Sequence, residues 1–109
     1  NLQKNNELLS PGMLSKHYAP KTKVLINQKD YIQGSGLLAF GVVPKNFSKA
    51  INKFNLSPTE NFLQASELLY EGLRYLDSLN LKFIQVMPIK NVGLGTAIND
   101  RLTRASNNE

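Results

Sequence analysis

The chain's one histidine, His17, sits beside Tyr18 in the stretch Ser10-Pro11-Gly12-Met13-Leu14-Ser15-Lys16-His17-Tyr18-Ala19-Pro20. Pro11 and Pro20 remove two backbone donors and push the residue before each toward extended geometry. Ser10-Pro11-Gly12 reads as a turn and Met13 to Ala19 as an extended strap. Neighbouring rings in an extended segment face opposite sides. Lys16 and Lys21 bracket them with positive charge. Such a set can hydrogen-bond to, or stack on, a nucleotide and its phosphates. The residues alone equally fit a packed loop whose ring tips are satisfied locally. No Ser-His-Asp set can be assigned, because spacing does not reveal the partners of a lone histidine.

Two other groups invite a chemical reading. Gly93-Leu94-Gly95 precedes a helical pattern, and free amides at a helix start favour anions. It lacks the third glycine of the dinucleotide fingerprint and the Gly-Lys-Ser/Thr end of a P-loop. A tight strand-to-helix turn explains it as well. Asp100, Arg101 and Arg104 form either an anion- or partner-binding face or a set of cations that complement a helix C-terminus. Glu67, Glu71, Arg74 and Asp77 follow helical spacing and read as a solvated face rather than a catalytic carboxylate pair.

Positioning these residues takes a single domain. The chain has 109 residues, 41% hydrophobic and 19% charged, with no cysteine. Disulfides, thiolate metal sites and cysteine nucleophiles are excluded. A single histidine excludes a His-cluster metal site. Thirteen Lys and Arg against eight Asp and Glu give a net charge of +5. The charge is dispersed, so phosphate contact and a solvated Lys-rich surface both remain open. No apolar run approaches the roughly 20 residues that span a bilayer, and no signal peptide is visible, so the expectation is a cytoplasmic protein without membrane partners. The first residue is Asn1 rather than Met, and a chain that is processed or, in preference, cut from something larger is expected.

Short apolar runs bounded by turn residues predict strands at Lys23–Asn27, Leu37–Phe40, Phe54–Leu56 and Phe83–Met87. The link Gln28 to Gln33 is too short for a crossover helix. The first two strands are therefore antiparallel, parallel with a cramped connection, or separated by another strand. Gly41 to Lys53 reads as a loop with one helical turn. Ser57-Pro58-Thr59-Glu60 has the capping-box pattern and predicts a helix from Pro58 to about Leu79, with Asn80 as its stop. Its apolar face is Phe62, Ala65, Leu69, Leu73 and Leu76. Gly72 lies on that face, where it permits close packing. A second helix is expected from Thr96 to about Ala105. The alternation of strands and helices favours a compact α/β sandwich.

Three segments together resemble one family. The strap is similar to the interdomain linker of two-domain threonylcarbamoyl-AMP synthases of the YrdC/YwlC/Sua type. Leu69-Tyr70-Glu71-Gly72-Leu73-Arg74-Tyr75-Leu76-Asp77 resembles the long helix of their C-terminal accessory domain. The run from Gly93 to Ala105 resembles that domain's closing signature. The resemblance covers nearly all of the chain from Ser10 onward.

This resemblance implies a small Rossmann-like three-layer α/β sandwich, with a mostly parallel sheet of about four to five strands flanked by helices. It divides the chain into a tail and linker at 1–21 and an accessory domain at 22–109. The catalytic YrdC-type domain is absent from these residues and is the implied partner. Full-length members join L-threonine, bicarbonate and ATP, with magnesium, into threonylcarbamoyl-adenylate, releasing pyrophosphate. The product feeds threonylcarbamoyladenosine modification of tRNA, so tRNA is an indirect partner. No catalytic residue, metal site or cofactor is implied for the chain itself. The linker acts as a lid on the substrates, with Tyr18, then His17, then Lys16 as the expected contacts. Many members carry Lys-Tyr-Arg where Leu14-Ser15-Lys16 stands, and Lys16 keeps the charge without the bidentate fork of Arg. The alternative is a non-catalytic basic module that binds tRNA or a partner of the modification machinery.

Overall fold

A computed structural model describes residues 19–107. Its elements in chain order are strands β1 (Lys23–Leu25), β2 (Gly36–Ala39) and β3 (Lys53–Asn55), helix α1 (Phe62–Asp77), strand β4 (Phe83–Val86) and helix α2 (Leu94–Asn107). A single 3-10 turn, Lys45–Phe47, links β2 to β3, where one helical turn was expected. The four strands form one sheet in the order β1-β4-β2-β3. Every neighbouring pair is parallel. Val24 pairs with Ile84, Gly36 with the same Ile84, and Leu37 with Lys53. Strand β4 therefore lies between β1 and β2. The ten-residue link, too short for a helix, crosses one strand as a loop.

Alternation along the strands divides the core. Val24, Leu38, Ile84 and Val86 face the helices and pack with Ala65, Leu69, Leu73, Leu76, Ile98 and Leu102. Leu37, Ala39 and Met87 face the other way and pack with Phe47 and Ala50 from the β2–β3 connection. The second face is thus closed by loop and 3-10 turn, while both long helices share the first. The architecture is the expected small Rossmann-like α/β sandwich on a four-stranded parallel sheet, but the flanking helices lie on one face only, because the β2–β3 connection folds as a loop with a single 3-10 turn rather than a second helical layer. Leu69, Leu73 and Leu76 are each no more than 1% exposed. At about 2 kcal/mol per buried leucine this stripe, more than helix propensity, holds α1 on the sheet.

Gly72 sits where α1 crosses β2 and β3. A Cβ there would lie 2.7 Å from Phe54 Cδ1 and 2.9 Å from Leu38 Cδ1. Close approach of helix to sheet therefore depends on the missing side chain.

The start of α1 differs from the expectation. The helix begins at Phe62, not Pro58, and its N-cap is Asn61, whose side chain accepts from the Gln64 amide at 2.9 Å. Ser57 to Glu60 close a separate turn, with the Glu60 amide on Ser57 O at 3.1 Å. Glu60 then adopts φ 62, which breaks the helical path. The Ser57 hydroxyl accepts from the Asn61 amide at 2.8 Å. Asn61-x-x-Gln64 is thus the cap that forms, four residues past the one the spacing suggested. At the other end Asn80 is left-handed at φ 55, as expected of a stop residue.

Gln85 is a fully buried polar side chain in β4. Its Oε1 accepts from the Ile32 amide at 2.9 Å. Its Nε2 donates to Asp30 O at 2.8 Å and to Gln28 Oε1 at 2.9 Å. One side chain therefore ties the β1–β2 loop across the middle of the sheet, and burial costs it little because its polar atoms are matched.

Candidate functional site

The strap residues Lys16, His17 and Tyr18 lie outside the described residues. The structure begins where the strap ends. Pro20 is buried. Asp77, in the last turn of α1, accepts from the Lys21 amide at 3.2 Å, the Thr22 amide at 2.8 Å and the Thr22 hydroxyl at 2.7 Å. The chain is thus clamped to the end of α1 immediately before β1 begins. Charge-assisted bonds from backbone to carboxylate are the stronger kind. Whatever the strap does, it departs from a fixed point at the N-terminal edge of the sheet. Asp77 read as a solvated helix residue in the sequence. Its partners are 55 and 56 residues away, and no local spacing signals them.

At the same edge Lys21, Lys23 and Lys82 border a shallow recess with Asp77 and Asn80. Lys23 Nζ donates to Ser106 O at 2.7 Å, so its charge sits at the C-terminus of α2, where the helix dipole favours it.

Gly93-Leu94-Gly95 resolves as a tight turn. The Gly95 amide donates to Val92 O at 2.8 Å and the Thr96 amide to Gly93 O at 3.1 Å. Those two amides are turned inward and do not cradle an anion. A Cβ on Gly95 would run into Lys90 O, so the glycine serves the close passage of helix and preceding loop. Arg104 Nη2 pairs with Asp100 Oδ2 at 3.1 Å across one helical turn. Arg101 Nη1 reaches Ala97 O at 3.4 Å. Both arginines are engaged along their own helix.

The opposite edge of the sheet holds a cleft that the sequence did not reveal. It measures about 500 Å³ and opens beyond the C-terminal ends of β1 and β4, against α2. Ile26, Val86, Met87 and Leu102 supply apolar lining. Asn27, Thr96, Asn99 and Asp100 supply amide, hydroxyl and carboxylate groups. Asn99 Nδ2 donates to Ile89 O at 2.9 Å, fixing the loop that forms one wall. Asn27 holds the left-handed φ 58 where the chain turns away from β1. Finding this cleft requires knowing that β1 and β4 are neighbours, which the residue pattern left open.

Among the described residues no group of three or more His, Cys, Asp or Glu could hold a metal ion. No helix of the described chain is long and apolar enough to cross a membrane.

Comparison with protein families gives one finding. The family described as threonylcarbamoyl-AMP synthase, C-terminal domain, matches residues 1–107. The match includes the strap, the clamp point at Lys21 and Thr22, the whole sheet and both helices. With only Asn108 and Glu109 beyond it, the chain belongs to the family of threonylcarbamoyl-AMP synthase C-terminal domains.

Proposed function

We propose that this domain is the accessory and lid module of an L-threonylcarbamoyladenylate synthase. The parent enzyme joins L-threonine, bicarbonate and ATP for tRNA threonylcarbamoyladenosine modification in the cytoplasm. Chemistry belongs to a YrdC-type catalytic domain, and this domain supplies the strap that covers its pocket. Tyr18, His17 and Lys16 are the contacts to nucleotide and threonine. The observation that carries the reading is the family match running through the strap and into the fold without interruption. The Asp77 clamp supports it, since a lid must swing from a fixed hinge point to return to one place. Covering the pocket excludes water from an adenylate that water would hydrolyse.

The reading as a tRNA-binding module has weaker support. The lysines at the N-terminal edge are few, and Lys23 is committed to the end of α2.

The test is steady-state pyrophosphate release by the full-length parent carrying Tyr18→Ala. Activity is expected to fall by about tenfold or more, the scale of one lost transition-state contact, with folding unchanged by circular dichroism. The isolated chain should release no pyrophosphate from the three substrates. Wild-type kinetics in Tyr18→Ala would contradict the lid role.

A further inference from the structure

We propose that the cleft beyond β1 and β4 is a binding site for an uncharged molecule of nucleoside class. The inference goes beyond the lid reading and does not depend on it.

Topology supplies the first argument. Strand β1 leaves its C-terminal end into the loop that covers the far face, where Tyr31 packs with Leu37 and Met87. Its neighbour β4 leaves toward α2 on the helix face, where Ile98 and Leu102 are buried. Two adjacent parallel strands therefore send their chains to opposite sides. This is the switch point at which open α/β sheets form a ligand crevice. The cleft lies there, and its volume of about 500 Å³ falls in the usual range for small-molecule sites.

The lining supplies the class of ligand. The apolar lining offers a surface for a flat ring. Asn27, Thr96, Asn99 and Asp100 offer donors and acceptors to hydroxyl and amide groups. Among the described residues the Thr96 hydroxyl, the Asn27 side chain and Asn99 Oδ1 make no hydrogen bond, so they are available to a ligand. No Lys, Arg or His occurs among the described residues of the lining. Arg104 pairs with Asp100 at 3.1 Å but is not part of the lining. The Gly95 and Thr96 amides are consumed within the turn. A phosphate would lie beside the Asp100 carboxylate, which already engages Arg104, and the lining side chains offer no further cation. A ring bearing hydroxyls, without phosphate, matches the set. The site thus selects nucleosides against the nucleotides that share their ring and sugar.

The experiment is a titration of the isotopically labelled 109-residue chain, followed by amide chemical shifts, with adenosine, guanosine, cytidine and uridine in turn, then with the 5′-monophosphate and 5′-triphosphate of each. At least one nucleoside is expected to saturate below about 1 mM, with shifts centred on residues 26–27, 86–91 and 96–103. Its 5′-phosphates should bind at least about tenfold more weakly. Thr96→Trp, and separately Thr103→Phe, should block the cleft and weaken binding by about tenfold or more, while amides of β3 keep their shifts and report an intact fold. Saturation by none of the four nucleosides would overturn the proposal. So would shifts that map elsewhere, binding of its 5′-phosphates as tight as the nucleoside, or unchanged affinity in both blocking variants.

Discussion

Two polar side chains, Gln85 and Asp77, decide where the irregular parts of this chain go. Gln85 uses three polar contacts from the centre of the sheet to hold the β1–β2 loop. Replacing it with leucine keeps the volume but leaves the Ile32 amide and Asp30 carbonyl short of a partner. Gln85→Leu is expected to cost about 1–3 kcal/mol in urea unfolding and to speed hydrogen exchange at Ile32. Unchanged stability and exchange would show that the loop holds itself. Asp77 acts at the other edge, tying Lys21 and Thr22 to the end of α1. Neither role was legible in the sequence, since each joins residues more than 50 positions apart. The strap chemistry was legible as unusual residue types in one place, but the lid role proposed for Lys16, His17 and Tyr18 rests on family resemblance.

At the level of elements, hydrophobic spacing located every strand and both helices. The apolar stripe of α1 is the buried one, apart from Phe62, which is only partly buried and stacks on Phe40. The spacing pointed to one cap, Ser57-x-x-Glu60, whereas the structure caps the helix with Asn61, four residues on. The left-handed Glu60 moves the start to Asn61, a backbone choice that no side-chain pattern records. Helix α2 begins two residues earlier than its pattern implied, at Leu94, because Gly95 lets it pass against Lys90. A methyl there meets a backbone oxygen that cannot rotate away. Gly95→Ala is therefore expected to destabilise by about 3 kcal/mol, the upper end of overpacking costs, despite alanine's better helix propensity. Thermal unfolding measures it, and a Tm at or above wild type would contradict the close approach.

At the level of the whole molecule the parallel sheet gives the domain two different ends. The strap leaves from the N-terminal edge, beside Asp77, and the cleft opens at the C-terminal edge, beside Asn27 and Asp100. The common direction of the strands separates them, and strand direction and order were the part of the fold that three- and four-residue strands could not encode. Such short runs carry too little alternation to fix their neighbours. The family match spans both ends, and the central claim concerns the strap. It is tested most directly by single-turnover analysis of the full-length parent, comparing intact threonylcarbamoyl-adenylate with pyrophosphate released. The wild-type enzyme should retain nearly one adenylate per pyrophosphate, while Tyr18→Ala should release pyrophosphate more slowly and lose most of its adenylate to water. Equal rates and equal retention in the two proteins would contradict the lid.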